Sequence, residues 1–227
     1  MPVVKDVIID AIDVNKEYRR AGAIIRALVD INLTIKSGEF VIIQGPTGCG
    51  KSTLLNVLSG LDLPDSGKII FDGENIARAT ETRLAKIRRQ KVGMVFQDFN
   101  LIKTLTAMEN VESMLWPTVL SNKEIENRGI VALRDVNMLE RKDHFPVEMS
   151  GGEKQRVAIA RAIVGKPRVV FADEPSGNLD PDSENQIMEL LKNINRDYET
   201  TILCVSHRDS VAKHGDRIVK MDNGKII

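Results

Sequence analysis

Cysteine is almost missing from this chain: two residues, Cys49 and Cys204, in 227. That excludes a disulfide-stapled secreted scaffold, and both side chains read as free thiols of a reducing compartment. Net charge is missing as well, because 32 basic and 32 acidic residues cancel. No global field therefore draws the chain to nucleic acid or anionic lipid. The most basic local cluster, Lys86, Arg88, Arg89 and Lys91, has no aromatic interleaved for base stacking and reads as a solvated helix face. No apolar run approaches bilayer length, and the N-terminus lacks a basic-then-apolar leader pattern. Internal repeats, low-complexity tracts, flexible linkers and the N-K-x-D motif of guanine-reading switches are also absent from the sequence. These absences predict a soluble, cytoplasmic protein. The length suits one large domain, or one domain with a lobe, around a real hydrophobic core.

What is present is a complete phosphate-binding loop, G-x-x-x-x-G-K-S, at Gly45, Pro46, Thr47, Gly48, Cys49, Gly50, Lys51 and Ser52. An apolar run, Phe40-Val41-Ile42-Ile43, precedes it, and Ser52 to Leu58 follow with helical spacing. Strand, glycine loop and helix are the context this motif requires. The glycines let successive N–H groups point inward at phosphate oxygens, and the helix adds its positive dipole end. Lys51 can reach the β- and γ-phosphates, and the Ser52 hydroxyl can ligate Mg²⁺. The loop and Thr53 after it are the expected contacts of a bound nucleoside triphosphate. Cys49 also lies near a helix N-terminus, which favours thiolate; a maleimide there is expected to block ATP, and ATP to protect the thiol.

Short apolar strands alternate with amphipathic helices, which predicts an α/β fold with a mixed, largely parallel central sheet. Core strands are expected at residues 40–44, 92–96, 169–173 and 201–206, with helices after Lys51 and at 81–90, 182–195 and 209–214. Residues 7–14, 31–35 and 68–71 read as a smaller antiparallel flank. A terminal pair, 217–221 and 225–227, is joined by Asp222-Asn223-Gly224, a strong hairpin turn. Between Gln97 and Arg161 the strand signals stop, and helices are expected at 106–115, 123–139 and 153–164. The chain thus reads as a single domain over 1–227. Its nucleotide-binding core is 1–96 with 162–227, and a helical lobe is inserted at 97–161.

A second acidic site ends the strand Arg168 to Asp173. An acid at the tip of a parallel strand beside a phosphate loop can hold Mg²⁺ through a water, which suits Asp173. Glu174 points differently and can orient, or take a proton from, an attacking water. His207, ending the strand that begins at Thr201, can donate a hydrogen bond to the same γ-phosphate. Gln97, at the tip of Val92 to Phe96, offers an amide that can ligate Mg²⁺ or sense its water. Three strand tips and a loop are expected to converge on one phosphate.

Beyond these motifs the chain carries Ser150-Gly151-Gly152-Glu153-Lys154-Gln155-Arg156, which resembles the L-S-G-G-Q signature of ABC-transporter ATPase subunits. The resemblance runs along essentially the whole length. It implies a phosphate-loop ATPase that binds ATP and Mg²⁺ and dimerises head to tail, with the glycine turn at 150–153 opening a helix from Glu153. In that arrangement Ser150 and Gly152, with Gly151 and Glu153 beside them, cap the ATP of the partner subunit. Tyr18 matches the family's adenine-stacking aromatic. Ser176-Gly177-Asn178-Leu179-Asp180 matches the loop crossing the dimer interface, with Asp180 as its acidic anchor. His207 matches the switch histidine and Gln97 the lever toward a membrane partner. Departures are Met149 and Glu153 for the usual Leu and Gln, and Ser176 where threonine is commoner; no catalytic position is lost.

The stretches from Phe96 to Val111 and from Ala172 to Asp180 resemble the branch serving lipoprotein release, macrolide export and the cell-division permease. The implied function is ATP hydrolysis driving an integral membrane permease from the cytoplasmic face of the cell membrane, with no nucleic-acid partner. The competing reading is a soluble ABC ATPase acting on DNA or ribosomes. Its DNA-acting members insert long coiled coils where this chain has a compact lobe, and its ribosome-acting members usually join two such domains.

Overall fold

Apolar runs without alternation build one sheet, and alternating strands build another. The computed structural model describes residues 6–20 and 22–227. In chain order the elements are β1 (Val7–Arg20), β2 (Ala23–Lys36), β3 (Phe40–Gln44), α1 (Lys51–Leu58), β4 (Ser66–Phe71), β5 (Glu74–Asn75), α2 (Glu81–Lys91) and β6 (Val92–Val95). Helices α3 (Ala107–Glu112), α4 (Asn122–Asp135) and α5 (Gly151–Ile163) follow. The chain then runs through β7 (Val169–Asp173), α6 (Pro181–Tyr198), β8 (Thr201–Ser206), α7 (Asp209–Ala212), β9 (Arg217–Asp222) and β10 (Lys225–Ile226). Six strands in the order β10-β9-β3-β8-β7-β6 form the central sheet, and β2-β1-β4-β5 form an antiparallel sheet. All pairings inside the central sheet are parallel except β10 with β9.

Parallel strands covered on both faces have no polar side to show water, and these do not. Val41, Ile43, Phe171, Leu203 and Val205 face the antiparallel sheet with α1 and α2. Phe40, Ile42, Val170, Ala172, Ile202 and Cys204 face the other way, into a core shared with α3 to α6. Each such fully buried aliphatic side chain stabilises the fold by about 1.5–3 kcal/mol. The helices of residues 97–161 thus share one hydrophobic cluster with the central sheet. Among the described residues no helix is long and apolar enough to cross a membrane.

Where boundaries differ from expectation, local hydrogen bonds explain the difference. The opening strands are longer than expected, because residues 15–20 pair with β2 although no apolar alternation marks them. Helix α5 begins at Gly151 rather than Glu153: Ser150 Oγ accepts from the Glu153 N–H at 3.2 Å, while Glu153 Oε2 accepts from the Ser150 N–H at 2.8 Å. This capping box moves the N-cap to Ser150 and puts both glycines in the first helical turn. The same device starts α3 at Thr106 and α4 at Ser121. Helix α4 stops at Asp135, short of the expected 139, with Asn137 in the left-handed region at φ 57°. Asp180 caps α6 through the N–H groups of Asp182 and Ser183, so Pro181 takes the first helical position.

His214, after α7, is buried at 3% exposure with its Nδ1 3.1 Å from Glu189 Oε1. Burial pushes its pKa below the usual histidine range, against the pull of Glu189 and with help from Lys213 and Lys192. The folded state therefore binds this proton less tightly than the unfolded state. Its stabilising contribution is complete above the unfolded value of about 6.5 and falls as the pH drops through the folded pKa. His214→Gln is expected to flatten the loss of stability between neutral pH and pH ~5, read by denaturant titration at each pH. An unchanged pH dependence would assign that loss to other groups.

Candidate active site

The C-terminal tips of β3, β7 and β8 open on one cavity of about 770 Å³. Ligands of open parallel sheets bind at this end. Its walls include Thr47 to Thr53 of the phosphate loop and helix start, though not Gly45 or Pro46, with Tyr18, Gln97, Asp173, Glu174 and His207. The structure therefore brings together residues that lie 189 positions apart, from Tyr18 to His207 (207 − 18).

The loop is held by tight packing. A Cβ on Gly45 would lie 2.1 Å from the Met221 carbonyl oxygen, and one on Gly50, at φ 106°, 2.3 Å from that of Ala27. Neither position tolerates a side chain. The terminal hairpin buttresses the loop, since the Gly224 N–H donates to the Cys49 carbonyl at 2.9 Å. Lys51 opens α1 and is 5% exposed; its Nζ donates to the carbonyls of Gly45 and Pro46, each at 2.8 Å. The cation is thus folded onto its own loop, within reach of where phosphate oxygens would enter.

Ser52 Oγ donates to Asp173 Oδ1 at 3.0 Å. Burial raises the Asp173 pKa, the neighbouring Glu174 charge adds to the effect, and the Ser52 hydrogen bond opposes it. Such a desolvated carboxylate beside a hydroxyl is a hard-oxygen donor pair suited to Mg²⁺. Among the described residues no group of three or more His, Cys, Asp and Glu side chains could hold a metal ion alone. An ion here would borrow ligands from the nucleotide.

Glu174 occupies the left-handed region at φ 45°, a conformation that costs a non-glycine residue on the order of 1–3 kcal/mol. Its N–H donates to the Val205 carbonyl at 3.1 Å, anchoring the turn to β8. That turn sets Oε2 2.9 Å from His207 Nδ1. Gln97 Nε2 donates to Asn178 Oδ1 at 3.3 Å, and Asn178 Nδ2 donates back to the Gln97 carbonyl at 3.3 Å. The loop after Glu174 is thereby tied to the tip of β6.

Tyr18 is 39% exposed, and its hydroxyl donates to Asp62 Oδ2 at 2.8 Å. Lys16 Nζ lies 5.2 Å from the ring centroid and donates to Asp62 Oδ1 at 2.8 Å. Burial and the Asp62 hydrogen bond raise the Tyr18 pKa, so the phenol stays neutral and offers a fixed aromatic face.

Other expected residues lie elsewhere. Ser150, Gly151, Gly152, Glu153 and Asp180 do not line this cavity. Gly151 packs near Leu179, and Gly152 near Ser183. The Ser150 N–H and hydroxyl hold the Glu153 carboxyl below the usual range. Cys49 lines the cavity, yet the residue is only 6% exposed and belongs to the buried cluster that holds Val41, Ile43 and Leu54. That burial limits reagent access to the thiol, and maleimide labelling with and without ATP reads how far. Ile25, Arg26, Ala27, Asn223 and Gly224 also line the cavity and were not expected there. Their one sequence signal, the Asp222-Asn223-Gly224 turn, marks a hairpin but not its neighbour.

Comparison with known proteins agrees with this geometry. A family model described as ABC transporter matches residues 28–177. ABC transporter ATP-binding protein MJ1508 of Methanocaldococcus jannaschii is 43% identical over 219 residues, covering 96% of this chain and 97% of that protein. Macrolide export ATP-binding/permease protein MacB of Chlorobaculum tepidum is 39% identical over 221 residues, covering 96% of this chain and 33% of that protein. Among solved structures, the dimeric post-hydrolysis state of the ATP-binding cassette MJ0796 bound to ADP and Pi is similar at a TM-score of 0.88 and 40% identity, covering 96% of each chain.

Proposed function

The chain belongs to the ABC transporter family as an ATP-binding subunit that hydrolyses ATP, and from that premise we propose how its residues divide the work. The observation that carries the reading is the single cavity in which the Lys51 loop, Asp173 and the Glu174–His207 pair meet beside Tyr18. ATP lies with its adenine on the Tyr18 ring and its phosphates in the loop from Gly45 to Thr53. Lys51 exchanges the Gly45 and Pro46 carbonyls for phosphate oxygens. Glu174 orients water for in-line attack and accepts its proton.

His207 shares the γ-phosphate with Lys51. A neutral imidazole carries one N–H, so donating to phosphate takes either the charged ring or release from Glu174 when ATP enters. A dipole-bearing helix start at Ser150 to Glu153 is a second phosphate surface, and it lies outside this cavity. The reading therefore includes a head-to-tail homodimer in which each signature turn caps the partner's ATP, as the dimeric cassette structure supports. Hydrolysis removes the shared ligand and the dimer opens, a population shift set by the different fit of ATP and ADP to the closed state.

The work stroke acts on an integral membrane permease, which places the chain at the cytoplasmic face of the membrane, with residues 97–161 as the docking lobe. MacB joins ATP-binding and permease parts in one macrolide-export protein, which supports such a partner and the macrolide-export branch. The apolar exposure of the lobe supports it too: Ile102, Trp116 and Val119 are 46%, 52% and 104% exposed. Leu101, beside Ile102, packs against the core and is no part of that exposed surface.

Tagged Glu174→Gln purified with ATP in mild detergent from its native host is expected to carry a multispanning membrane protein, identified by mass spectrometry. Recovery of ribosomal or DNA-bound proteins alone would overturn the permease reading and leave the ATPase intact.

A further inference from the structure

The residue after the switch histidine makes contacts that the hydrolysis scheme above does not use. Arg208 Nη1 donates to Glu184 Oε2 at 2.5 Å, and its Nη2 donates to the Gly177 carbonyl at 2.9 Å. The Glu184 side chain is 7% exposed. It also accepts hydrogen bonds from the hydroxyls of Ser210 and Ser176. One buried carboxylate on the first turns of α6 thus gathers donors from two segments, the start of α7 after His207 and the loop after Glu174. Burial alone would push the Glu184 carboxyl up, but Ser210 and Arg208 outweigh it and hold it below the usual range. Glu184 is therefore a carboxylate at neutral pH.

Gly177 shows why this matters for chemistry. A Cβ there would meet Gln97 Nε2 at 3.2 Å and both the carbonyl and Oε2 of Glu174 at 3.3 Å. The Gly177 peptide is therefore wedged between the Gln97 amide and the general base, and Arg208 grips its carbonyl. On the other side Arg208 is covalently next to His207, and its N–H donates to Ser206 Oγ at 3.1 Å. Arg208 thus touches the segments on both sides of the 2.9 Å Glu174–His207 contact.

We propose that Arg208 and Glu184 are positioning residues, a latch that makes the His207 loop and the Gly177-Asn178 loop move as one unit. A buried ion pair is poor evidence for stability, since desolvation offsets much of its attraction. Its value here is geometric: it fixes the distance between base and histidine, and it transmits their state to the loop leading to Asp180. This inference rests on the roles given above to Glu174 and His207.

The test compares Arg208→Ala, Arg208→Lys, Glu184→Gln, the double variant Arg208→Ala/Glu184→Gln, and Glu174→Gln. Arg208→Ala is expected to lower kcat about tenfold or more with KM for ATP within about twofold, since kcat/KM losses confined to kcat mark the reacting geometry. It also strands a buried carboxylate, so its melting temperature should fall. The double variant removes that stranded charge. The latch predicts that the double variant regains melting temperature but keeps the low kcat, and that Arg208→Lys recovers only part of it. A double variant with wild-type kcat would reduce the pair to a structural role and overturn the latch, as would an Arg208→Ala with unchanged kcat. Normal turnover by Glu174→Gln would instead overturn the reading on which the latch rests.

Discussion

Glu174→Gln is expected to bind ATP within about twofold of the wild type and to lose turnover by roughly 10²–10⁴-fold, the range a positioned general base supplies. The substitution is nearly isosteric, and glutamine can keep a hydrogen bond to His207 Nδ1, now 2.9 Å from Oε2. What it cannot do is take a proton from water. The left-handed backbone at φ 45° and the anchoring bond to Val205 do not depend on the side-chain charge, so the site's shape should persist. Phosphate release together with a fluorescent-ATP titration checks both halves. Unchanged release would remove Glu174 from the base role; lost binding would place it in ground-state recognition instead.

Lys51→Ala is expected to weaken ATP by about 10–150-fold, which corresponds to the roughly 1.5–3 kcal/mol of a hydrogen bond to a charged group. The structure argues against a larger effect. Lys51 is not a bare cation awaiting a ligand, because the Gly45 and Pro46 carbonyls already satisfy it. ATP must compete with those contacts, so only the surplus counts toward affinity. The same contacts imply a second consequence: alanine leaves two loop carbonyls without their donor, which loosens the nucleotide-free loop. Titration of ATP by calorimetry reads the first effect, and equal affinity would refute it.

The parts of this fold that were legible in the sequence are those with strong local signals. Strands β3, β7 and β8 begin and end where they were expected, because a strand buried on both faces has no reason to alternate and its apolar run marks it. The phosphate loop was legible because its glycines answer to backbone geometry alone. At the opening hairpin the signal failed. Asp13 and Asp30 adopt φ 49° and interrupt the register, and Lys16 to Arg20 offer no apolar period, so both strands read short. The start of α5 was legible in principle, since Ser150 and Glu153 have capping-box spacing, but the glycines between them suggested a turn.

The long-range ties had no local signal at all. Tyr18 is oriented by Asp62, 44 residues away, and Arg208 meets Glu184 across 24 residues. Nothing in spacing announces such pairs, since each depends on which strand lies beside which. The sequence reading named the groups that meet at the cavity. It did not name Asp62 or Arg208, and it placed Asn178 in the interface loop without its hydrogen bonds to Gln97.

The most direct measurement is the mass of Glu174→Gln in solution by light scattering, with ATP and Mg²⁺ and then with ADP. The account predicts a particle of twice the 25.2 kDa chain with ATP, returning to the single chain with ADP, because two opposed signature turns must close on two intact γ-phosphates. A single chain that binds ATP and never pairs, or a dimer indifferent to the nucleotide, would contradict it.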